Sequence, residues 1–152
     1  MSDLRELYEE VILDHNRTPR NYPKNPPGAN CHAHGFNPLC GDEFQVHLKV
    51  EGGLVEDVGF EGAGCAISTA SASLMTQAVK GKRVEEAEAI FQAVHDVLTD
   101  ESGQTEVADE LLGKLSVLVG VKDYPMRVKC ATLAWHTMHA ALKDERGTVT
   151  TE

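Results

Sequence analysis

The stretch at residues 44–60, FQVHLKVEGGLVEDVGF, indicates the fold of the chain. Its first seven residues alternate apolar and polar side chains, which is the pattern of a strand with one buried face. Glu51, Gly52 and Gly53 supply a turn, and the residues at 54–60 supply the returning strand. The stretch therefore predicts an antiparallel β-hairpin.

Further elements are predicted on both sides of this hairpin. Apolar residues at 3–14 recur at helical spacing, and a proline-rich arm follows at residues 16–28. A third strand begins near residue 30. After the hairpin, helical periodicity predicts helices from residue 66 to Gly81, at 87–98, at 107–118 and from Pro125 onward. The polar tail at 143–152 is expected to fray.

This order of elements predicts the fold class. A helix, then strands, then helices indicate an α+β fold with a small three-stranded antiparallel sheet and helices packed on one face. The chain has 152 residues, which is the size of one domain, so a single domain over residues 1–152 is expected.

Charge and hydropathy exclude several classes of function. The chain has 14 Lys and Arg residues and 24 Asp and Glu residues, so its net charge is −10. This negative charge argues against sequence-independent nucleic-acid binding. No stretch approaches the roughly 18 consecutive apolar residues of a membrane span. The acidic start, MSDLRELYEE, has neither the basic nor the apolar region of a secretory signal, so a cytoplasmic protein is expected.

Three of the four cysteines lie at the predicted ends of elements, where loops converge. Cys40 precedes the central strand, Cys65 stands where the hairpin leads into a helix, and Cys130 lies near the start of the last helix. A thiol at a helix N-terminus favours the thiolate form, because it faces the positive end of the helix dipole. Arg127 and Lys129 place positive charge beside Cys130.

These thiols leave two interpretations open. Asp42 lies two residues after Cys40 on an extended segment and so points to the same side, where three thiolates and one carboxylate would complete a tetrahedral zinc shell. Isolated cysteines are, however, more often inert buried side chains, and no C-x-x-C pair is present. An aspartate in such a position is also common as a turn residue.

Other cysteine and histidine residues are interpreted without a functional role. Cys31 is expected to be a passive strand or loop residue. His32 and His34 alternate onto one side of an extended chain, which we expect to be exposed, and are not expected to bind metal. His136 and His139 share the polar stripe of the last helix and are expected to be solvated.

Three motifs together resemble a known family. NPLCGDEF at 37–44, GAGCAISTASASLM at 62–75 and PMRVKCATLAWHTM at 125–138 are similar to the three cysteine motifs of the IscU/NifU N-terminal family of iron–sulfur assembly proteins. ILDHNRTPRNY at 12–22 resembles the opening segment of that family. The resemblance runs from about residue 4 to residue 139.

Two features resemble the SufU branch of the family. Cys130 follows Cys65 by 65 positions, whereas Cys65 follows Cys40 by only 25. The extra length, a helical stretch at about 84–119, resembles the insertion that distinguishes SufU from the shorter IscU type. Lys129 precedes the third cysteine, where IscU proteins carry a histidine.

The resemblance implies a zinc-dependent sulfurtransferase with Cys40, Asp42, Cys65 and Cys130 as zinc ligands and Cys40 as the sulfur acceptor. It implies a PLP-dependent cysteine desulfurase of the SufS type as donor and the SUF cluster-assembly machinery as recipient. The basic arm residues Arg17, Arg20 and Lys24 fit either a docking surface for that desulfurase or a solvated arm.

Two other functions remain open at this point. The alternative is a scaffold on which a labile [2Fe–2S] cluster is built on the same ligands, because thiolates accept iron as well as zinc. A purely structural zinc module fits less well, since such modules use cysteine and histidine in close pairs.

Overall fold

The predicted hairpin forms two adjacent strands of the sheet in the computed structural model, which describes residues 2–38, 41–99, 125–143 and 148–150. In chain order, the described elements are α1 (Ser2–Arg17), β1 (Cys31–Asn37), β2 (Asp42–Glu51), β3 (Leu54–Ala63), α2 (Ala66–Val79), α3 (Val84–Thr99), α4 (Pro125–Leu142) and β4 (Thr148–Thr150). The predicted helix at 107–118 lies outside the described residues, as does the part of the helical insertion that follows α3.

The sheet has the strand order β3–β2–β1–β4. β2 pairs antiparallel with both β3 and β1, so the predicted three-stranded antiparallel sheet is confirmed. β4 adds a short parallel strand beside β1, so the expectation that the whole tail frays is wrong for residues 148–150. The sequence there is Thr-Val-Thr, and β-branched residues favour extended backbone.

The helices pack on one face of the sheet, as predicted. α4 contacts β1 and β2, α2 contacts β3, and α1 packs against α2. The largest fully buried side chains come from both layers: Phe44, Val46, Leu48, Val55, Val58 and Phe60 from the sheet, and Leu74, Met75, Leu133, Trp135 and Met138 from the helices. The helices that the structure describes are each too short or too polar to cross a membrane.

The proline-rich arm lies along the outer edge of β3. The backbone N–H of Lys24 donates to the carbonyl oxygen of Phe60 at 3.1 Å, and the N–H of Phe60 donates to the carbonyl oxygen of Asn21 at 3.1 Å. The Tyr22 hydroxyl donates to the Gly62 carbonyl oxygen at 2.7 Å. The arm is therefore attached to the sheet although it has no regular secondary structure.

Two of the basic residues of the arm are paired with carboxylates. Arg20 lies 2.6 Å from Asp14, and Lys24 lies 2.7 Å from Asp57. These pairs reduce the net positive charge that the arm offers to an acidic partner.

Three histidines surround Phe91 where α3 packs against α4. The ring of His139 stacks on Phe91 with centroids 4.5 Å apart, and His136 meets the same ring edge-on at 5.3 Å. His95 contributes a third imidazole, 5.1 Å from that of His136. The expectation that His136 and His139 are solvated is wrong, because α3 covers the part of α4 that carries them and leaves both half-buried.

The histidine cluster leads to a prediction about acid stability. Burial, together with the charges of His95 and His139, lowers the pKa of His136 to about 4. Two carboxylates lie at the edge of the cluster: that of Asp96 is 3.8 Å from His95, and that of Glu88 is 3.9 Å from His139. Because the unfolded chain binds this proton below about pH 6.5, the stability that depends on neutral His136 should be lost as the pH falls from about 6.5 towards 4.

We expect this loss to be about 1–2 kcal/mol, since solvent screening reduces the effect of a half-buried group. Urea unfolding of metal-free protein at pH 7.5 and pH 5 would measure it. His136→Gln should show a smaller loss between the two pH values than the parent does. An equal loss in the two proteins would contradict the assignment to His136.

Candidate metal centre

Three predicted site residues from three different parts of the fold lie close together. They are Asp42 at the start of β2, Cys65 immediately before α2, and Cys130 in α4. One ligand atom from each lies within 4.8 Å of the others, and no second group of this kind occurs among the described His, Cys, Asp and Glu side chains. The fourth predicted ligand, Cys40, lies outside the described residues, although its neighbour Gly41 is described.

Asp42 is almost completely buried, with 1% of its surface exposed. Its Oδ1 accepts the backbone N–H of Cys65 at 3.0 Å, and its Oδ2 accepts the hydroxyl of Ser68. The Cys65 sulfur lies 3.9 Å from the same Oδ2. A buried carboxylate requires partners of this kind, because removing it from water is otherwise costly.

Cys65 is the N-cap residue of α2. Its backbone is extended, and its sulfur accepts the backbone N–H of Ser68 at 3.4 Å. The preceding Gly64 allows the chain to approach the site closely: a Cβ there would lie 2.9 Å from the Phe44 ring and 3.0 Å from Asp42 Oδ1. The glycine before Cys65 is thus explained by packing against the carboxylate.

Asn37 connects Cys130 to Gly41, which immediately precedes Asp42. Its side-chain amide donates to the Cys130 sulfur at 3.7 Å, and both residues are fully buried. The backbone carbonyl oxygen of Asn37 accepts the backbone N–H of Gly41 at 2.8 Å, which closes the turn between β1 and β2. Asn37 was missed as a candidate site residue, although it is the first residue of the NPLCGDEF motif.

The donor set fits a thiolate-binding metal. Donor atoms in a tetrahedral zinc shell lie about 3.5–3.8 Å apart, which follows from bond lengths of about 2.0–2.3 Å. The sulfur of Cys65 and the carboxylate of Asp42 are already 3.9 Å apart. Two sulfurs and one carboxylate oxygen on separate elements therefore form a candidate metal site that needs only small movements.

The residues interpreted as non-functional lie outside this group. Cys31 is half-buried in β1 and packs against the core. His32 and His34 are on the sheet: Nδ1 of His32 lies 2.7 Å from Nδ1 of His47, and Nε2 of His34 lies 2.6 Å from a Glu43 oxygen. Neither histidine belongs to the candidate metal group.

Comparison with known families gives a match over most of the chain. The NifU-like N-terminal domain family matches residues 7–131. The chain belongs to this family. The predicted resemblance to the IscU/NifU N-terminal family is thereby confirmed. A relative named SufU and a solved structure confirm the SufU type and the α+β fold class.

Two relatives that are similar to the chain in sequence are named for different functions, one for sulfur transfer and one as a scaffold. The chain is 39% identical over 146 residues to the zinc-dependent sulfurtransferase SufU of Bacillus subtilis strain 168, with 96% of each chain covered. It is also 41% identical over 138 residues to the iron–sulfur cluster assembly scaffold protein IscU of Thermotoga maritima, covering 90% of this chain and 93% of the relative.

A solved structure has the same fold as this chain. The chain resembles a protein from Fervidobacterium islandicum AW-1 that is named "putative iron-sulfur cluster assembly scaffold protein for SUF system (FiSufU)", with a TM-score of 0.81 and 34% identity. That match covers 90% of this chain and 97% of the other.

Proposed function

We propose that this protein accepts sulfur from a protein persulfide at Cys40 and passes it on for iron–sulfur cluster assembly. The relatives support cluster assembly as the general function. The observation that supports the specific proposal is the convergence of Asp42, Cys65 and Cys130, of which Asp42 follows Cys40 by two residues in the sequence.

The metal proposed for this site is zinc, held by Cys40, Asp42, Cys65 and Cys130. Two sulfurs and a carboxylate are ligands that zinc accepts, and the relative from Bacillus subtilis is named zinc-dependent. Bound zinc would keep the coordinated thiols deprotonated at neutral pH without any redox chemistry of its own.

Cys40 is the proposed acceptor because the other three residues are held by the core of the fold. Asp42 and Cys130 are buried, and Cys65 is tied to α2 through the N–H of Ser68. Cys40, in contrast, lies in the sequence between β1, which ends at Asn37, and β2, which begins at Asp42. It is therefore the proposed ligand whose bonding changes during transfer.

The transfer step balances without an external oxidant or reductant. The Cys40 thiolate attacks the terminal sulfur of the donor persulfide, so a sulfur–sulfur bond forms at Cys40 and the donor's sulfur–sulfur bond breaks. The donor cysteine leaves as a thiolate, and the persulfide proton moves with the transferred sulfur. The proposed donor is a PLP-dependent cysteine desulfurase of the SufS type, and the proposed recipient is the SUF assembly machinery.

The second candidate function is a scaffold for a labile [2Fe–2S] cluster on the same residues. It is favoured by the names of the relatives from Thermotoga maritima and Fervidobacterium islandicum. The metal content of aerobically purified protein separates the two functions. A colourless protein with about one zinc per chain supports sulfur transfer, whereas a brown protein with visible absorbance and bound iron supports the scaffold.

Labelling with sulfur tests the acceptor directly. The protein is incubated with a SufS-type desulfurase and radiolabelled cysteine, and protein-bound label is measured under non-reducing conditions. Cys40→Ser is expected to retain only background label, because a hydroxyl cannot form the persulfide.

Cys31→Ser is the control for this labelling. It removes a thiol outside the metal group and should be labelled as the parent is. A Cys40→Ser protein that acquires label as the parent does would refute Cys40 as the acceptor.

A further inference from the structure

We infer that Ser68 is a positioning residue for the metal site, which it serves by fixing the carboxylate of Asp42. This inference rests on the proposed role of Asp42 as a metal ligand. Ser68 lies in the first turn of α2 and is fully buried.

Ser68 contacts two of the three described donor groups. Its hydroxyl donates to Oδ2 of Asp42, and its Oγ lies 3.3 Å from the Cys65 sulfur. Its backbone N–H donates to the same sulfur at 3.4 Å. One residue therefore fixes the distance between a carboxylate donor and a thiol donor that come from different elements.

The hydrogen bonds define the orientation of the Asp42 carboxylate as well as its position. Oδ1 is bound by the backbone N–H of Cys65, and Oδ2 by the side chain of Ser68. Both donors belong to the start of α2, so the carboxylate cannot rotate without breaking one of the bonds. Each carboxylate oxygen has a second lone pair, which remains available for a metal.

Removing the Ser68 hydroxyl would leave Oδ2 with a poorer partner. Among the described residues, the remaining contact of that oxygen is the Cys65 sulfur at 3.9 Å, and a thiol is only a weak donor. Ligating carboxylates are usually held by a further hydrogen bond, and loss of such a bond typically weakens metal binding 10–100-fold. We assign this supporting bond to Ser68.

A matched pair of serine variants tests this assignment. Ser68→Ala removes the hydroxyl that binds Asp42. Ser71→Ala removes an equally buried hydroxyl on the same helix, which instead donates to the Ala131 carbonyl oxygen at 2.6 Å and accepts the Trp135 indole N–H at 3.1 Å. Zinc affinity is measured for both by chelator competition. We expect Ser68→Ala to bind zinc about 10–100-fold more weakly and Ser71→Ala to match the parent.

Cobalt substitution supplies a readout that does not depend on activity. Thiolate-to-cobalt absorption bands report the geometry of the ligands, so Ser68→Ala should shift them and Ser71→Ala should not. A Ser68→Ala protein with the parent's zinc affinity and cobalt spectrum would overturn the inference. Ser68→Thr retains a hydroxyl and provides a second variant: its cobalt spectrum should resemble that of the parent, and a spectrum like that of Asp42→Asn would refute the assignment.

A double-mutant cycle shows whether Ser68 acts through Asp42. In an Asp42→Asn background, Ser68→Ala should weaken zinc binding no further, whereas an undiminished effect would contradict the inference. If Asp42→Asn alone binds zinc as the parent does, the ligand role of Asp42 has failed and this inference fails with it. Labelling at Cys40 is read independently, so a failure confined to Ser68 leaves the proposed function standing.

Discussion

Cys130→Ser is expected to weaken zinc binding by more than the roughly 10–100-fold typical of losing a ligand's hydrogen-bond partner. The substitution removes a sulfur donor that is fully buried, so bulk water does not reach its position easily. A serine hydroxyl remains protonated at neutral pH and is a poor replacement for a thiolate. The purified variant should contain much less than one zinc per chain, as measured by elemental analysis and chelator competition.

Cys31→Ser is the matched control for this experiment, because it removes a half-buried thiol that is not part of the metal group. It should retain the zinc content of the parent. A Cys130→Ser protein with stoichiometric zinc and unchanged affinity would remove Cys130 from the ligand set. That result would leave Cys65 as the one thiol of the described group and would remove the basis for a thiolate-rich site.

Gly62→Ala is expected to destabilise the protein by more than about 3 kcal/mol. Gly62 has a φ of +122°, a backbone conformation that residues with a Cβ rarely adopt. A Cβ would overlap the carbonyl oxygen of Glu43 and lie 2.9 Å from the Cα of Phe44. These are backbone atoms of β2, so no side-chain rotation relieves the overlap. Urea unfolding of the metal-free protein measures the loss.

Gly52→Ala separates the energetic cost of the backbone conformation from the cost of steric overlap. Gly52 also has a positive φ, +60°, but its Cβ would meet no atom within 4 Å. Its substitution should therefore cost only about 1–2 kcal/mol, the usual penalty of the left-handed conformation. Equal losses for Gly62→Ala and Gly52→Ala would show that the close approach of β3 to β2 at Gly62 is not responsible.

The parts of the fold that depend on local sequence were predicted correctly. Alternating side chains and the Gly52-Gly53 turn define the hairpin within seventeen residues. The turn sets the pairing of Val50 with Val55, but a bulge between Lys49 and Val50 then shifts the register by one residue, which the sequence pattern does not indicate. The helix after Cys65 was predicted because its apolar residues recur at helical spacing. Cys65 and Cys130 are candidates because they lie at the predicted ends of elements, where loops converge, and Asp42 is a candidate because it lies two residues after Cys40 on an extended segment.

The remaining features depend on contacts between distant parts of the chain. Pairing of residues 148–150 with β1 joins segments more than a hundred positions apart, and no local pattern indicates it. The burial of His136 depends on where α3 lies against α4. The hydrogen bonds of Asn37 and Ser68 to the candidate ligands follow from the same tertiary packing, because their donors and acceptors come from different elements.

The arm at residues 21–24 has a further consequence for the behaviour of the protein in concentrated solution. An edge strand with unpaired backbone groups is a template to which another chain can add a strand. Because Asn21 and Lys24 occupy the outward-facing backbone groups of Phe60, this part of β3 is closed to such addition. On the opposite side of the sheet, β4 covers residues 34–36 of β1. Part of each edge of the antiparallel sheet is thus paired with another segment of the same chain, which hinders intermolecular strand pairing there.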